Sequence, residues 1–391
     1  MRILRIADVA DNRFGGMTRV MHLTTDPLVA AGHQVVTWFR DDLNRWAPTK
    51  FRRFVVPFDV VRHVLQRVRS GEVFDVVEVH EPSAAVYCVA RRIYPELPPI
   101  LVLSHGLEAR ARLNFLAYRK RKRILVSLKS RYSPLSVVWQ ANFALRHGDA
   151  VVCSTTEDFD YLQHRLKIPI QRIHCINWGV LPEYFADPPA ARNGILCHGS
   201  WIERKGVRDL VSAVVPLLEE RPKLHLTLSG CGLPAGVVAE HFPAAVRGRL
   251  RIVDRRISEE ELVDLYMTHS IFVCASFFEG QLLTLLEAAA SGIAIVTTNV
   301  GGMRDFIRHG QNGLLHEPGD VEALAAHLGQ LLDDDVEARR LGYAARHDAH
   351  QYTWERAAEK LLAAYQAAIE GHRRGAPTLG ADPVRGAVEN R

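Results

Sequence analysis

The 391-residue sequence has no run of the roughly 18 to 20 apolar residues that a membrane-spanning helix requires. The longest candidate, Leu282 to Val296, is interrupted by Glu287, Ser291 and Gly292. The opening MRILRIAD carries Arg5 and Asp8 where a signal peptide would carry its apolar core, so a cytoplasmic protein without a leader is expected. Cysteine is scarce: Cys88, Cys153, Cys175, Cys197, Cys231 and Cys274 form no Cys-x-x-Cys pair. Most lie in or beside apolar runs such as VVCST and IFVCAS, which excludes a zinc-ribbon pattern and points to buried free thiols in a reducing compartment. Long charged or low-complexity tracts are also missing; 48% hydrophobic and 24% charged residues exclude a disordered chain.

The sequence does contain strand-length apolar runs alternating with helix-length amphipathic stretches. In the first half the strand candidates are 3–7, 34–39, 54–58, 75–80, 100–105, 150–154 and 173–177; in the second they are 194–200, 224–230, 250–254, 271–276, 294–298 and 313–317. Continuous apolar strands between helices argue for parallel sheets covered on both faces. The alternation restarts after the Pro-rich stretch Leu181 to Ala191, so two doubly wound α/β domains are expected, over 1–182 and 190–350. A last helix is expected over 351–370, and 371–391 lacks periodicity.

Four segments carry candidate chemistry. In CASFFEGQLLTLLEAAASG, a strand ends near Ser276, Glu279 and Gly280 lie in a loop, and a helix begins near Gln281. The amides from Leu282 through Leu283 to Thr284 would then offer an anion site, with Gly280 admitting a close backbone approach. Glu287 inside the helix has two oxygens able to accept from ribose hydroxyls, and Glu279 would face a sugar. An ordinary helix with a solvent-facing Glu fits this segment equally well. In GILCHGSWIERKG, Ser200, Arg204 and Lys205 follow a strand, and Lys205 can reach a diphosphate or simply sit on an exposed basic loop. Phe14-Gly15-Gly16-Met17 follows the first strand, where paired glycines allow a ligand near the backbone. His105, in Ser104-His105-Gly106, stands at a strand end, as a sugar-binding or a structural histidine.

Charge is unevenly spread. Between His105 and His147 lie Arg110, Arg112, Arg119-Lys120-Arg121-Lys122-Arg123, Lys129, Arg131 and Arg146, against one acid, Glu108. Leu113, Phe115, Leu125 and Trp139 are among the apolar residues interleaved with them. Segment 110–147 therefore reads as a contact for an anionic membrane surface or polyanionic acceptor, or as a solvated helix face. No nucleic-acid motif accompanies it, so no nucleic acid is expected as partner.

Together these segments resemble the retaining glycosyltransferases of the GT-B fold, family 4, the glycosyl transferases group 1. Glu279 and Glu287 match that family's Glu, seven residues, Glu signature, and Lys205-Gly206 matches its Lys-Gly. Gly301-Gly302-Met303-Arg304-Asp305 and Asn312-Gly313-Leu314-Leu315 match two further stretches, and Asn177-Trp178-Gly179-Val180 looks like its hinge segment. The resemblance implies two Rossmann-like domains facing across a cleft, with the last helix returning to the first domain. It further implies a nucleoside-diphosphate sugar as donor, a glycan or lipid-linked acceptor, no cofactor and no metal. Glu287 would hold the ribose, Lys205 and the Leu283–Thr284 backbone the phosphates, Glu279 and His105 the sugar, and Gly16 would approach the diphosphate. The chain departs from the family at Ser200, where an Arg is usual; Arg204 is the candidate substitute. Gln281-Leu282 also stands where small or aromatic residues are common.

Rival readings keep the fold and change the chemistry: an epimerase, a phosphorylase, or a non-catalytic sugar-nucleotide binder. A dinucleotide oxidoreductase is suggested by Gly230-x-Gly232-x-x-Ala235 with Asp254 at the next strand end. Asp158-Phe159-Asp160 imitates a metal motif, but a helix there would point its carboxylates apart, and Asp333-Asp334-Asp335 reads as an exposed helix end.

Overall fold

A computed structural model of the chain describes residues 1–13, 15–43, 51–127, 132, 135–189 and 191–373. Phe14, parts of the basic segment (128–131, 133–134), the boundary at 190 and the tail beyond 373 lie outside the described residues. The first sheet comprises β1 (Arg2–Ile6), β2 (Gln34–Trp38), β3 (Val76–His80), β4 (Ile100–Leu103), β5 (Ala150–Cys153) and β6 (Ile173–Cys175). The second comprises β7 (Ile195–His198), β8 (Leu226–Ser229), β9 (Leu250–Val253), β10 (Ile271–Cys274), β11 (Ala294–Thr298) and β12 (Leu314–His316). Each is six-stranded and parallel, ordered β2-β1-β3-β4-β5-β6 and β12-β11-β10-β7-β8-β9.

Alternation along each strand supplies two cores per sheet. Leu4, Ile6, Val77 and Val79 pack into one cluster, while Ile3, Val76, Leu101 and Leu103 pack into the other. In the second sheet Ile195, Leu226, Ile271 and Val273 face one way, and Leu196, Phe272 and Ile295 the other. Helix Trp354–Arg373 returns to the first sheet, where Ala357, Leu361, Ala364 and Tyr365 join Ile3 and Leu101. Beneath it Glu78 accepts from Tyr365 Oη at 2.5 Å and pairs with Arg5 at 3.1 Å, all three fully buried.

One expected strand is not a strand. Residues 54–58 lie in helix Arg52–Arg69, where Val56, Val60, Val61 and Val64 are buried and Phe54 and Phe58 are exposed. The apolar run continues into DVVRHVLQRVR at helical spacing, and that longer amphipathic pattern outweighs five residues of strand propensity and the proline inside it.

Candidate functional site

Chain order reverses between β7 and β10, and the loops after these two strands flank the crevice that opens there. Gly206 has φ 67°, and a side chain on it would begin 1.9 Å from the Ala275 carbonyl oxygen, so the two loops interlock only with glycine at this point. That contact seats Lys205 against the β10 loop. Lys205 Nζ lies 2.9 Å from Glu279 Oε1, and Arg204 Nη1 lies 3.0 Å from Glu279 Oε2. Arg204 also donates to the Phe278 carbonyl at 2.9 Å. Burial pushes the Glu279 carboxyl up, but Lys205 and Arg204 outweigh it and hold the group below its ordinary range. Glu279 is thus a buried carboxylate between two cations, and Arg204 is brought to the position where the sequence alone left it a candidate. Ser200 stands exposed on the same loop.

The following helix is Leu283–Ala290, starting two residues later than expected. Gln281 is engaged elsewhere: its backbone N–H donates to Ser154 Oγ at 3.2 Å, and its side chain bonds both backbone groups of Trp178. Gly280 also serves the domain contact, because a side chain on it would begin 2.0 Å from the His105 carbonyl oxygen. Leu283 and Thr284 occupy the first turn, whose N–H groups have no acceptor within a helix, and the buried Thr284 Oγ1 has no hydrogen-bond partner among the described residues.

Glu287 lies one turn into this helix and is buried. Tyr266 Oη donates to its Oε2 at 3.1 Å, and Arg19 of the first domain places Nη2 3.4 Å from its Oε1. The same guanidinium bonds Glu259 at 2.5 Å, and Glu259 accepts from Tyr184 Oη at 2.6 Å. Burial raises the Glu287 carboxyl above its ordinary range, with Arg19 opposing the rise.

On the first domain, Gly15 and Gly16 open helix Gly16–Ala30. A side chain on Gly16 would meet nothing within 4 Å, whereas one on Gly15 would meet Thr18 Oγ1 at 2.9 Å. The His105 ring lies between those of His80 (centroids 4.9 Å apart) and Trp178 (5.9 Å), tilted to both, and its buried Nε2 has no hydrogen-bond partner among the described residues. Burial, followed by His80, keeps its pKa well below the ordinary histidine value, so it is a neutral imidazole.

The basic run is not simply a solvated face. Arg119 pairs with Glu203 at 2.7 Å, Lys122 with Asp209 at 2.7 Å, and Arg121 bonds the Pro318 carbonyl, all in the second domain. Tyr118 stacks on Phe277 at 4.3 Å beside them. Lys120 and Arg123 remain exposed, with Leu113, Leu125 and Trp139. Asp254, after β9, accepts from the Ala235 N–H at 3.0 Å, at the start of helix Ala235–Ala239 that follows β8. Asp158 pairs with Arg110, Asp333 pairs with Arg221, and Asp334 caps the next helix.

Arg19, Tyr184, Glu259, Tyr266 and His198 escaped the sequence reading. Their spacing carries no motif, since Arg19 meets partners 240 and more positions away. His198 had one signal, its place at the end of β7. Burial, then Lys205 and Arg19, lower its pKa to about 4, and its buried Nδ1 has no hydrogen-bond partner among the described residues.

The family model described as glycosyl transferases group 1 matches residues 192–334, and that of glycosyltransferase family 4 matches residues 14–184. The chain is 36% identical over 241 residues to a D-inositol 3-phosphate glycosyltransferase of Corynebacterium diphtheriae, covering 56% of each protein. It is 33% identical over 177 residues to a glycogen synthase of Mycobacterium tuberculosis, covering 45% of this chain and 42% of that one. The matched region thus spans about half the length of these curated relatives. Among solved structures, sucrose-phosphate synthase of Thermosynechococcus elongatus superposes with a TM-score of 0.74 at 22% identity, over 93% of this chain and 98% of that one. A protein of Anabaena in complex with UDP superposes at 0.67 and 15% identity, over 94% and 100%. At these identities the superpositions speak for a shared GT-B fold. With one family model on each domain, this chain belongs to the family 4, or group 1, glycosyltransferases.

Proposed function

We propose that this protein transfers a sugar from a nucleoside-diphosphate sugar to a hydroxyl of a glycan or lipid-linked acceptor, with retention of anomeric configuration and without a bound metal. The observation that carries the reading is the convergence of Lys205 and Arg204 on Glu279 at the second sheet's crevice, with His105 packed against the adjacent Gly280. In this reading the donor's diphosphate lies along Arg204, Lys205 and the Leu283–Thr284 backbone, next to the open face of Gly16. The two cations stabilise the negative charge that develops as the nucleoside diphosphate departs. Glu279, held ionised, accepts from donor-sugar hydroxyls, and neutral His105 hydrogen-bonds the sugar from the opposite side. The acceptor hydroxyl attacks from the leaving-group side, and a phosphate oxygen takes its proton. Glu287 receives the ribose.

Names of the relatives point to inositol phosphate, glycogen and sucrose-phosphate chemistry in those proteins. Here the exposed Lys120, Arg123, Leu113, Leu125 and Trp139 support an acceptor held at an anionic membrane surface. Nucleoside-diphosphate release from a panel of UDP-, GDP- and ADP-sugars, with product configuration read by NMR, tests the reaction. Lys205→Ala and Glu279→Ala should each lower turnover by roughly a hundredfold; unchanged turnover in both would refute the site. Sedimentation with phosphatidylglycerol vesicles tests the surface, and binding no stronger than to phosphatidylcholine would refute that part.

A further inference from the structure

Glu287 is a buried carboxylate whose two oxygens are treated differently. Oε2 accepts from the Tyr266 hydroxyl at 3.1 Å, within one domain. Oε1 has Arg19 Nη2 at 3.4 Å, a separation that supplies charge without saturating the oxygen's lone pairs. Arg19 is anchored more firmly to Glu259, at 2.5 Å, and Tyr184 Oη holds that same Glu259 oxygen at 2.6 Å. The Arg19 and Glu287 side chains are only 8% and 5% exposed, so little water screens the pair in this arrangement. A carboxyl in such surroundings favours its neutral form unless a cation stands beside it. A neutral carboxyl accepts two hydroxyl donors less well than a carboxylate does. The cation comes from the helix that follows Gly15-Gly16 on the opposite domain, so Glu287 is complete as a hydroxyl acceptor only when the domains are closed on each other.

We propose that Arg19 is a positioning residue for donor recognition: reaching across the cleft from its anchor on Glu259, it sets its guanidinium beside Glu287 with Oε1 open to the ribose hydroxyls, and thereby ties ribose recognition to domain closure. The assignment rests on the donor reading above and adds a residue from the first domain to it. Arg19 acts through Glu287, so its removal should be felt by the ribose and not by the base or the phosphates.

Titration calorimetry on the full chain with UDP, GDP, ADP and their 2′,3′-dideoxy forms tests this. With the base that wild type binds, the ribose form should bind roughly tenfold or more tighter than the dideoxy form, the scale of a hydrogen bond to a charged group. In Arg19→Gln that preference should collapse while affinity for the dideoxy nucleotide stays the same. Arg19→Lys keeps the charge but cannot bridge Glu259 and Glu287 together, and should fall between the two. It also carries the test if the glutamine variant does not fold, as a thermal melt will show. A preserved ribose preference in either folded variant overturns the assignment. Equal loss for both nucleotide forms overturns it too, because Arg19 would then be contacting phosphate or supporting the fold. Tighter ribose binding in Arg19→Gln would make Arg19 a plug rather than a positioner. If wild type binds none of the six nucleotides, the donor reading itself falls, and this assignment with it.

Discussion

The carbonyl oxygen of His105 lies 2.0 Å from where a side chain on Gly280 would begin, so the two domains meet through a missing methyl group. Gly106 faces the same loop, with Gly280 N 3.2 Å from its own absent Cβ. Gly280→Ala therefore cannot be accommodated without moving the His105 loop away from Glu279. Small-angle scattering should report a more open particle, and sugar transfer should drop at least tenfold, the penalty expected when reacting groups are misplaced by about 1 Å. Gly16→Ala meets nothing within 4 Å and should leave the scattering profile unchanged.

Arg204 and Lys205 divide one carboxylate between them, and only Arg204 is substantially exposed, at 39% of its side chain against 16%. In the proposed donor site, that exposure leaves guanidinium N–H groups for a phosphate, a role that the Ser200 hydroxyl, which carries no charge, does not fill. Arg204→Ala should raise the KM for donor several-fold, and Ser200→Arg in that background should recover part of the loss by placing a cation on the same loop. Steady-state kinetics decides it; no recovery, together with no effect of Arg204→Ala, would leave Lys205 as the sole phosphate cation.

Tyr365 on the last helix donates to Glu78 in the first sheet, and Glu78 in turn pairs with Arg5. The burial of Glu78 is outweighed by Arg5 and His80, and its carboxyl is held at about 2. A folded-state value below the unfolded one gives stability that is present above about pH 4.5 and lost as pH falls toward 2. Tyr365→Phe removes a buried bond to that charge and should cost about 1.5–3 kcal/mol in denaturant unfolding at neutral pH. An unchanged midpoint would show that the returning helix is held by packing alone.

Glu81 behaves in the opposite way. It follows β3, accepts from Ser104 Oγ at 2.5 Å, and has a buried Oε2 with no hydrogen-bond partner among the described residues. Burial raises its pKa to about 8, with Glu108 and Asp158 adding to the rise. The folded protein keeps this proton where the unfolded chain has lost it, so stability declines as pH rises from about 4.5 to 8. Glu81→Gln keeps the acceptor for Ser104 and removes the titration. Its stability advantage over wild type should widen with pH in that window, by at most about 1.4 kcal/mol per pH unit. A constant difference across the window would show that Glu81 is ionised throughout.

Sequence and structure contributed unequally to these residues. The strand ends, the second sheet's crevice and the placing of Lys205, Glu279 and Glu287 beside it were all legible, because apolar runs and loop glycines are local signals. The strand expected at 54–58 was misread because five apolar residues carry no period of their own, and only the next eleven reveal the helix. Gly280 was legible as a necessary glycine but not for the right neighbour: the sequence shows that no side chain is wanted, not that His105 fills the space.

By itself, then, the order of residues determined two parallel α/β sheets, a crevice at the reversal between β7 and β10, and the cations and carboxylates lining it, since each follows from local patterning and chain connectivity. Only the tertiary structure decided which charge meets which. Arg19 reaches Glu259 and Glu287, Arg204 joins Lys205 on Glu279, and Arg119 and Lys122 of the basic run pair with Glu203 and Asp209 of the second domain. Pairings across hundreds of positions depend on how the domains face one another, and on burial that makes an unpaired charge too costly to leave alone.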